Sequence, residues 1–169
     1  MTGSAGAHYA AGTVRARTAA AGGGDEPRVS APVFLLCDVV GRDAHSGKWM
    51  LTGLFDTVWV PRFPAAHPAM DVFFRLWIAK PGHEPAGDPA GRHPALVTYR
   101  TPSGERGEFP AFVLTPGPNG LAEGSFRVQH FPLPEPGAYA FELVVDGEPV
   151  SSTWLRAETL PARSGATVQ

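Results

Sequence analysis

The sequence predicts an all-β, antiparallel immunoglobulin-like β-sandwich of about eight strands. Three observations lead there. Short apolar segments with alternating side chains recur at the spacing of roughly 8–12 residues that marks sandwiches and barrels. The 169 residues include 20 glycines and 18 prolines without a collagen-like period, which interrupts the chain too often for long helices. No segment sustains the 3.6-residue period of an amphipathic helix. Hydrophobic residues make up 43% of the chain and aromatics 10%, enough apolar mass for a core.

Residues 1–30 are set apart by composition. They hold Arg15, Arg17 and Arg28 but one aromatic, Tyr9, and their glycine-rich centre is too short for the apolar region of a signal peptide. With little surface to bury, the segment cannot offset its ordering entropy and is expected to be a disordered Ala/Gly-rich tail. The domain spans 31–158, and 159–169 form a flexible C-terminal tail.

Pro32 to Val40 is a short apolar run closed by Gly41, which fits a strand buried on both faces. A turn over Arg42–Gly47 leads to an alternating run from Lys48 to Val60, with Gly53 placed for a bulge or bend. The proline-rich stretch Pro61–Pro68 reads as a loop. A third strand covers Met70–Ile78, with Met70, Val72, Phe74, Leu76 and Ile78 on one face and Asp71, Phe73, Arg75 and Trp77 on the other. Lys80–Pro94, with four prolines and three glycines, reads as a long loop.

Further strands fall at Ala95–Arg100, Phe109–Leu114, Leu121–Phe131, Tyr139–Val145 and Val150–Ala157. Asp146-Gly147 is the strongest hairpin signal, because a type I′ turn needs positive φ at both central residues. Pro136-Gly-Ala-Tyr-Ala-Phe141 matches the approach to a late strand in immunoglobulin-like domains, where a Tyr hydroxyl ties back to the preceding corner. The alternative is that Tyr139 is a plain core aromatic.

Charge and motifs exclude several functions. The formal charge is −2, without the basic footprint of a nucleic-acid binder. No stretch approaches the ~20 apolar residues of a membrane-spanning helix. Phosphate-binding, dinucleotide, nucleophile-elbow and zincin motifs are absent from the sequence. The single cysteine, Cys37, lies in an apolar run where burial would keep its thiol inert, and its solitude suits the reducing cytoplasm.

Four candidate constellations remain. Asp71, Phe73, Arg75 and Trp77 mix two charges with two large aromatics on one strand face, a composition favoured at protein interfaces; ordinary packing with snorkelling charges is the competing reading. Asp38, Asp56 and His67 could converge for metal or acid–base work, against turn capping for the two acids and an end-packing role for His67. His83, Glu84, Asp88 and His93 resemble ligands, but on a Pro/Gly loop without Cys they make a poor metal site. Trp59 or Trp77 could serve as a stacking platform for a sugar.

The order Phe34-Leu-Leu-Cys-Asp38, Leu51-Thr-Gly-Leu-Phe-Asp56, Phe63-Pro64 with His67-Pro68, and Pro134-Glu-Pro-Gly137 with Phe141-Glu-Leu-Val-Val-Asp-Gly147 resembles a family of uncharacterised bacterial proteins over about residues 32–158. The resemblance implies a compact β-domain of unknown function and carries no activity or cofactor across. The expected function is therefore a non-enzymatic protein-binding or scaffolding module that acts through Asp71, Phe73, Arg75 and Trp77 on another protein, with no metal, no cofactor, no nucleic acid and no membrane. A small-ligand, carbohydrate-like binding module is the alternative, and a metal-dependent hydrolase the next. Edge strands leave a homodimer open.

Overall fold

Alternating side chains close a core between two sheets. A computed structural model describes residues 30–78 and 91–161. Within them lie β1 (Ser30–Arg42), β2 (Trp49–Leu54), β3 (Thr57–Val60), β4 (Ala65–Trp77), β5 (His93–Arg100), β6 (Arg106–Glu108), β7 (Phe112–Leu114), β8 (Leu121–Leu133), β9 (Gly137–Val145) and β10 (Glu148–Thr159). One sheet has the order β2-β1-β4-β8; the other runs β3-β10-β9-β5-β6, with β7 also on β5. The described pairs are antiparallel except β3 with β10, which is parallel. The chain crosses repeatedly between the sheets, the architecture of an immunoglobulin-like sandwich.

Ten strands replace the expected eight, for two reasons. The run from Lys48 to Val60 divides: it stays on β1 as far as Leu54, just past Gly53 (φ +65°), and after Asp56 it joins the second sheet as β3 beside β10. A side chain at Gly53 would meet the Cγ of Asp38 at 2.7 Å, so the crossing is built around that glycine. The other addition is β6, a three-residue polar segment pairing Tyr99 with Gly107; it has no apolar alternation to betray it.

The proline-rich loop is also shorter than expected, because β4 begins at Ala65 and takes in Pro68. Its register on β8 runs from Ala65↔Leu133 to Trp77↔Leu121. β1 joins β4 only from Asp71 onward, so Pro68 has no neighbour on that side to miss its N–H. His93 and Pro94 likewise open β5 instead of closing the loop before it.

The core joins Phe34, Leu36, Met70, Val72, Phe74 and Leu76 of the first sheet to Val97, Tyr139, Phe141, Leu143 and Leu155 of the second. Phe131 holds ring contacts to Tyr99, Tyr139 and Phe141, with centroids at 5.1, 5.9 and 5.3 Å. The β9–β10 hairpin turns at Asp146 (φ +54°) and Gly147 (φ +84°), as the type I′ signal requires. β1 is not buried on both faces throughout: Phe34 and Leu36 face the core, Cys37 is buried on the other face opposite Asp71, Val33 and Leu35 are half-covered, and Asp38 and Val39 are exposed. Thr159, expected to begin the C-terminal tail, closes β10 opposite Val60. The expectations of disorder over 1–29 and 162–169, and of a long loop over 79–90, lie outside the described residues.

Candidate functional site

A strand of 13 residues must twist, and β1 does so between two partners. Its first part pairs with β4 as far as Cys37↔Asp71; from Cys37↔Leu54 onward it pairs with β2. Where β1 leaves β4, the amide of Val40 loses its strand neighbour. It donates instead to Oδ2 of Asp71 at 2.7 Å, and Nη1 of Arg127 donates to Oδ1 at 3.4 Å. Asp71 is 6% exposed, so its carboxylate is held by groups of the fold itself.

The divergence of β1 carries the β1–β2 hairpin over the outer face of the first sheet. Trp49, the first residue of edge strand β2, reaches above β1 and β4. Its ring meets Phe73 edge-on at 5.3 Å, and its Nε1–H donates to Oε2 of Glu123 on β8 at 3.0 Å. The guanidinium of Arg42 stacks over the Trp49 ring at 4.0 Å, a cation–π arrangement, while donating to the carbonyl of Gly47 at 3.0 Å. Arg75 pairs with Glu123 at 3.3 Å, its side chain 46% exposed.

A cleft of about 490 Å³ lies between hairpin and sheet. Val33, Leu35 and Phe73 form its floor and Arg42, Trp49 and Leu51 its wall, with Arg75 and Glu123 at one side. Arg42, Lys48 and Arg75 make the lining positive against the single Glu123, on a chain whose net charge is −2. An apolar floor with a few convergent polar groups is the usual composition of a recognition cleft.

The four residues singled out in β4 therefore separate. Phe73 and Arg75 line the cleft, whereas Asp71 and Trp77 do not. Trp77 is half-buried at the end of β4, opposite Leu121. Phe73 is 4% exposed and supports Trp49 from below. The residues that complete the cleft, Arg42, Trp49 and Glu123, escaped the strand-by-strand reading. Arg42 and Trp49 flank the Asp43–Lys48 turn and pair across it, a signal that was legible in the sequence; Glu123 arrives only through tertiary folding.

The other candidates are spread over the molecule. Asp38 is exposed beside Gly53. Asp56 accepts from the Thr57 hydroxyl at 3.0 Å, while its carbonyl accepts from Arg156 N at 2.7 Å. His67 packs against Phe55 with ring centroids 5.3 Å apart and planes tilted by 51°, its Nε2 buried and unpaired, and burial pushes its imidazole below the ordinary histidine range. Among the described residues no group of three or more His, Cys, Asp and Glu is placed to hold a metal, so Asp38, Asp56 and His67 do not assemble a centre. His83, Glu84 and Asp88 lie outside the described residues; His93 Nδ1 contacts Asp146 Oδ2 at 2.7 Å. The Cys37 thiol is fully buried, and burial, with the charges of Asp71 and Asp38, pushes it up. Trp59 stands half-exposed on the outer face of the second sheet, as does Trp154.

Fold and site together define an immunoglobulin-like β-sandwich with a hairpin-roofed cleft. The chain belongs to a family of unknown function, DUF6941, which it matches over residues 32–158. No curated protein matches it in sequence. Similar solved structures include a Pseudomonas fluorescens alkylpurine DNA glycosylase bound to DNA containing an abasic site analog (13% identity, 79% of this chain and 31% of that chain, TM-score 0.45). A Listeria innocua β-glucosidase in complex with isofagomine is similar at 11% identity over 74% of this chain and 16% of its own, TM-score 0.41. An immunoglobulin-like protein from Pseudomonas aeruginosa is similar at 12% identity over 77% of this chain and 96% of its own, TM-score 0.38. This chain thus spans less than a third of the first two. No helix among the described residues is long and apolar enough to cross a membrane.

Proposed function

We propose that the protein is a non-enzymatic binding module that grips a segment of another protein in the cleft between the β1–β2 hairpin and the first sheet. One observation carries this reading: Trp49 and Phe73 meet beside Arg42 and Arg75 in a single depression. Tryptophan and arginine are among the side chains most enriched where binding energy concentrates, and here they line one depression on the outer face of the first sheet. The buried free thiol of Cys37 supports a working place in the reducing cytoplasm.

The test is comparative affinity capture from the host's lysate with the full chain as bait and Arg75→Ala as control bait, followed by direct titration of any protein enriched. A partner retained by the wild type and lost with Arg75→Ala supports the reading. Equal capture by both baits refutes it.

A second reading has its own observation. Trp59 and Trp154 both stand half-exposed on the outer face of the second sheet, where indole faces can stack on sugar rings. A glycan panel that changes tryptophan fluorescence, with loss of the response in Trp59→Ala, would favour a carbohydrate-binding module. An unresponsive panel removes it.

A further inference from the structure

The terminal strand of a sheet exposes unpaired N–H and C=O groups, and folds normally keep such strands short, kinked, charged or covered. Four of the five terminal strands among the described residues conform. β2 has six residues and bends at Gly53, β3 has four, and β6 and β7, which share one edge of β5, have three each. β8 does not conform. It has 13 residues, bonds β4 along one side, and along the other pairs with no strand among the described residues. Its interruptions gather at one end, where His130 adopts φ +53° and Pro132 follows. The backbone of Leu121 is taken up by the preceding turn, through Gly117 N and Asn119 Oδ1, so among the described residues Ala122–Gln129 is left as an open edge.

We propose that this edge pairs antiparallel with β8 of a second copy of the chain, about a two-fold axis through Ser125. The side chains of the edge are self-complementary in that register. On the outer face Glu123 comes opposite Arg127 of the second copy, and Arg127 opposite Glu123, so both charge pairs are attractive. Ser125 meets its own symmetry mate, a pair that can share a hydrogen bond. Moving the axis to Glu123 or Arg127 would set like charges directly opposite, which destabilises a strand pair. The inner face agrees. Phe126, whose ring packs inward on Phe109 and Phe112, comes opposite Gly124 of the second copy, a position with no side chain to crowd it. Gly124 is itself required within the chain, because a Cβ there would lie 2.6 Å from Cζ of Phe74.

The interface is isologous and would join two four-stranded sheets into one of eight. It shares Glu123 with the cleft lining but does not rest on what the cleft binds, and Ser125, the residue probed below, lies outside that lining.

Sedimentation velocity on the full chain over a concentration series tests it. A species of twice the chain mass is expected, and a wild type that stays monomeric throughout overturns the proposal. Ser125 is exposed, so Ser125→Lys and Ser125→Glu are expected to fold, as circular dichroism will report. Each sets two like charges opposite and should sediment as a monomer. An equimolar mixture of the two should recover the double mass as a heterodimer. A dimer that persists in Ser125→Lys alone, or a mixture that stays monomeric, overturns the register. Ser125→Cys gives a second readout that needs no charged variant. Under mild oxidation it should cross-link into a disulfide dimer on a non-reducing gel, Cys37 being buried, and absence of that band would equally count against the axis.

Discussion

The hydroxyl of Tyr139 donates to the backbone carbonyl of Glu135 at 2.6 Å and accepts from the amide of the same residue at 3.3 Å. One side chain at the start of β9 thus satisfies both backbone groups of Glu135, at the middle of the corner between β8 and β9. The ring is fully buried against Phe131, so the corner is anchored to the aromatic centre of the sandwich.

Tyr139→Phe keeps the ring and removes the oxygen. It is expected to cost about 1–3 kcal/mol, because the Glu135 carbonyl and amide lose their common partner. Urea denaturation gives the value; a change within a few tenths of a kcal/mol would mean that water replaces the hydroxyl. Burial, aided by the Glu135 charge, also raises the Tyr139 pKa, with the Glu135 backbone hydrogen bond opposing. A raised acid pKa in the folded state contributes stability below pH about 10 that is lost as pH climbs through the folded value. The wild type should therefore lose stability more steeply above pH 10 than Tyr139→Phe.

His67 works in the opposite direction. Burial lowers its pKa, and the charge of Asp38 only partly opposes the shift. The unfolded chain then binds a proton more readily, so stability present above the ordinary histidine pKa of about 6.5 falls as pH drops below it. His67→Phe, which keeps a ring against Phe55, should flatten the fall in urea midpoint between pH 7 and pH 5. Parallel curves for the two proteins would place the acid sensitivity elsewhere.

Phe73 and Arg75 share the cleft and differ sharply in what they contribute to folding. Phe73→Ala removes a buried ring and is expected to cost about 3–5 kcal/mol. Arg75→Ala breaks a half-exposed ion pair to Glu123 and should cost about 0–1 kcal/mol. Thermal or urea unfolding of both variants checks this. The contrast makes Arg75 the suitable probe of binding, since a partner lost with Arg75→Ala cannot be explained by loss of the fold.

Asp71→Ala leaves the Val40 amide and the Arg127 guanidinium without their acceptor. A loss of about 1–3 kcal/mol is expected from the unpaired amide, with Asp71→Asn milder because an acceptor oxygen remains. Hydrogen exchange should localise the effect, with Val40 losing protection in the alanine variant. Unchanged exchange at Val40 would show that the carboxylate is not what holds the parting of β1 from β4.

Much of the fold was legible along the chain because alternation is a local property. The core face of β4 and the I′ turn at Asp146-Gly147 each follow from neighbouring residues whose pattern has one physical solution, whereas Tyr139 had two readings until its hydroxyl was seen to bond Glu135. The strand count was not legible. A switch between Leu54 and Thr57 that sends one apolar run into two sheets leaves the alternation intact on both sides, and β6 forms because β5 offers hydrogen bonds, not because Arg106–Glu108 has strand character.

The candidate site divides along the same line. Asp71, Phe73 and Arg75 stood out because charges and aromatics on one strand face are unusual, and that much is a matter of sequence. Which of them solvent can reach was decided elsewhere, by β1 leaving β4 at Cys37, by the amide of Val40 taking up Asp71, and by Trp49 crossing two strands to reach Glu123. Periodicity alone determines which side of a strand a residue takes. Only the packing of segments distant in the chain determines what that side faces, since contacts such as Trp49 to Glu123 join positions with no local signature in common.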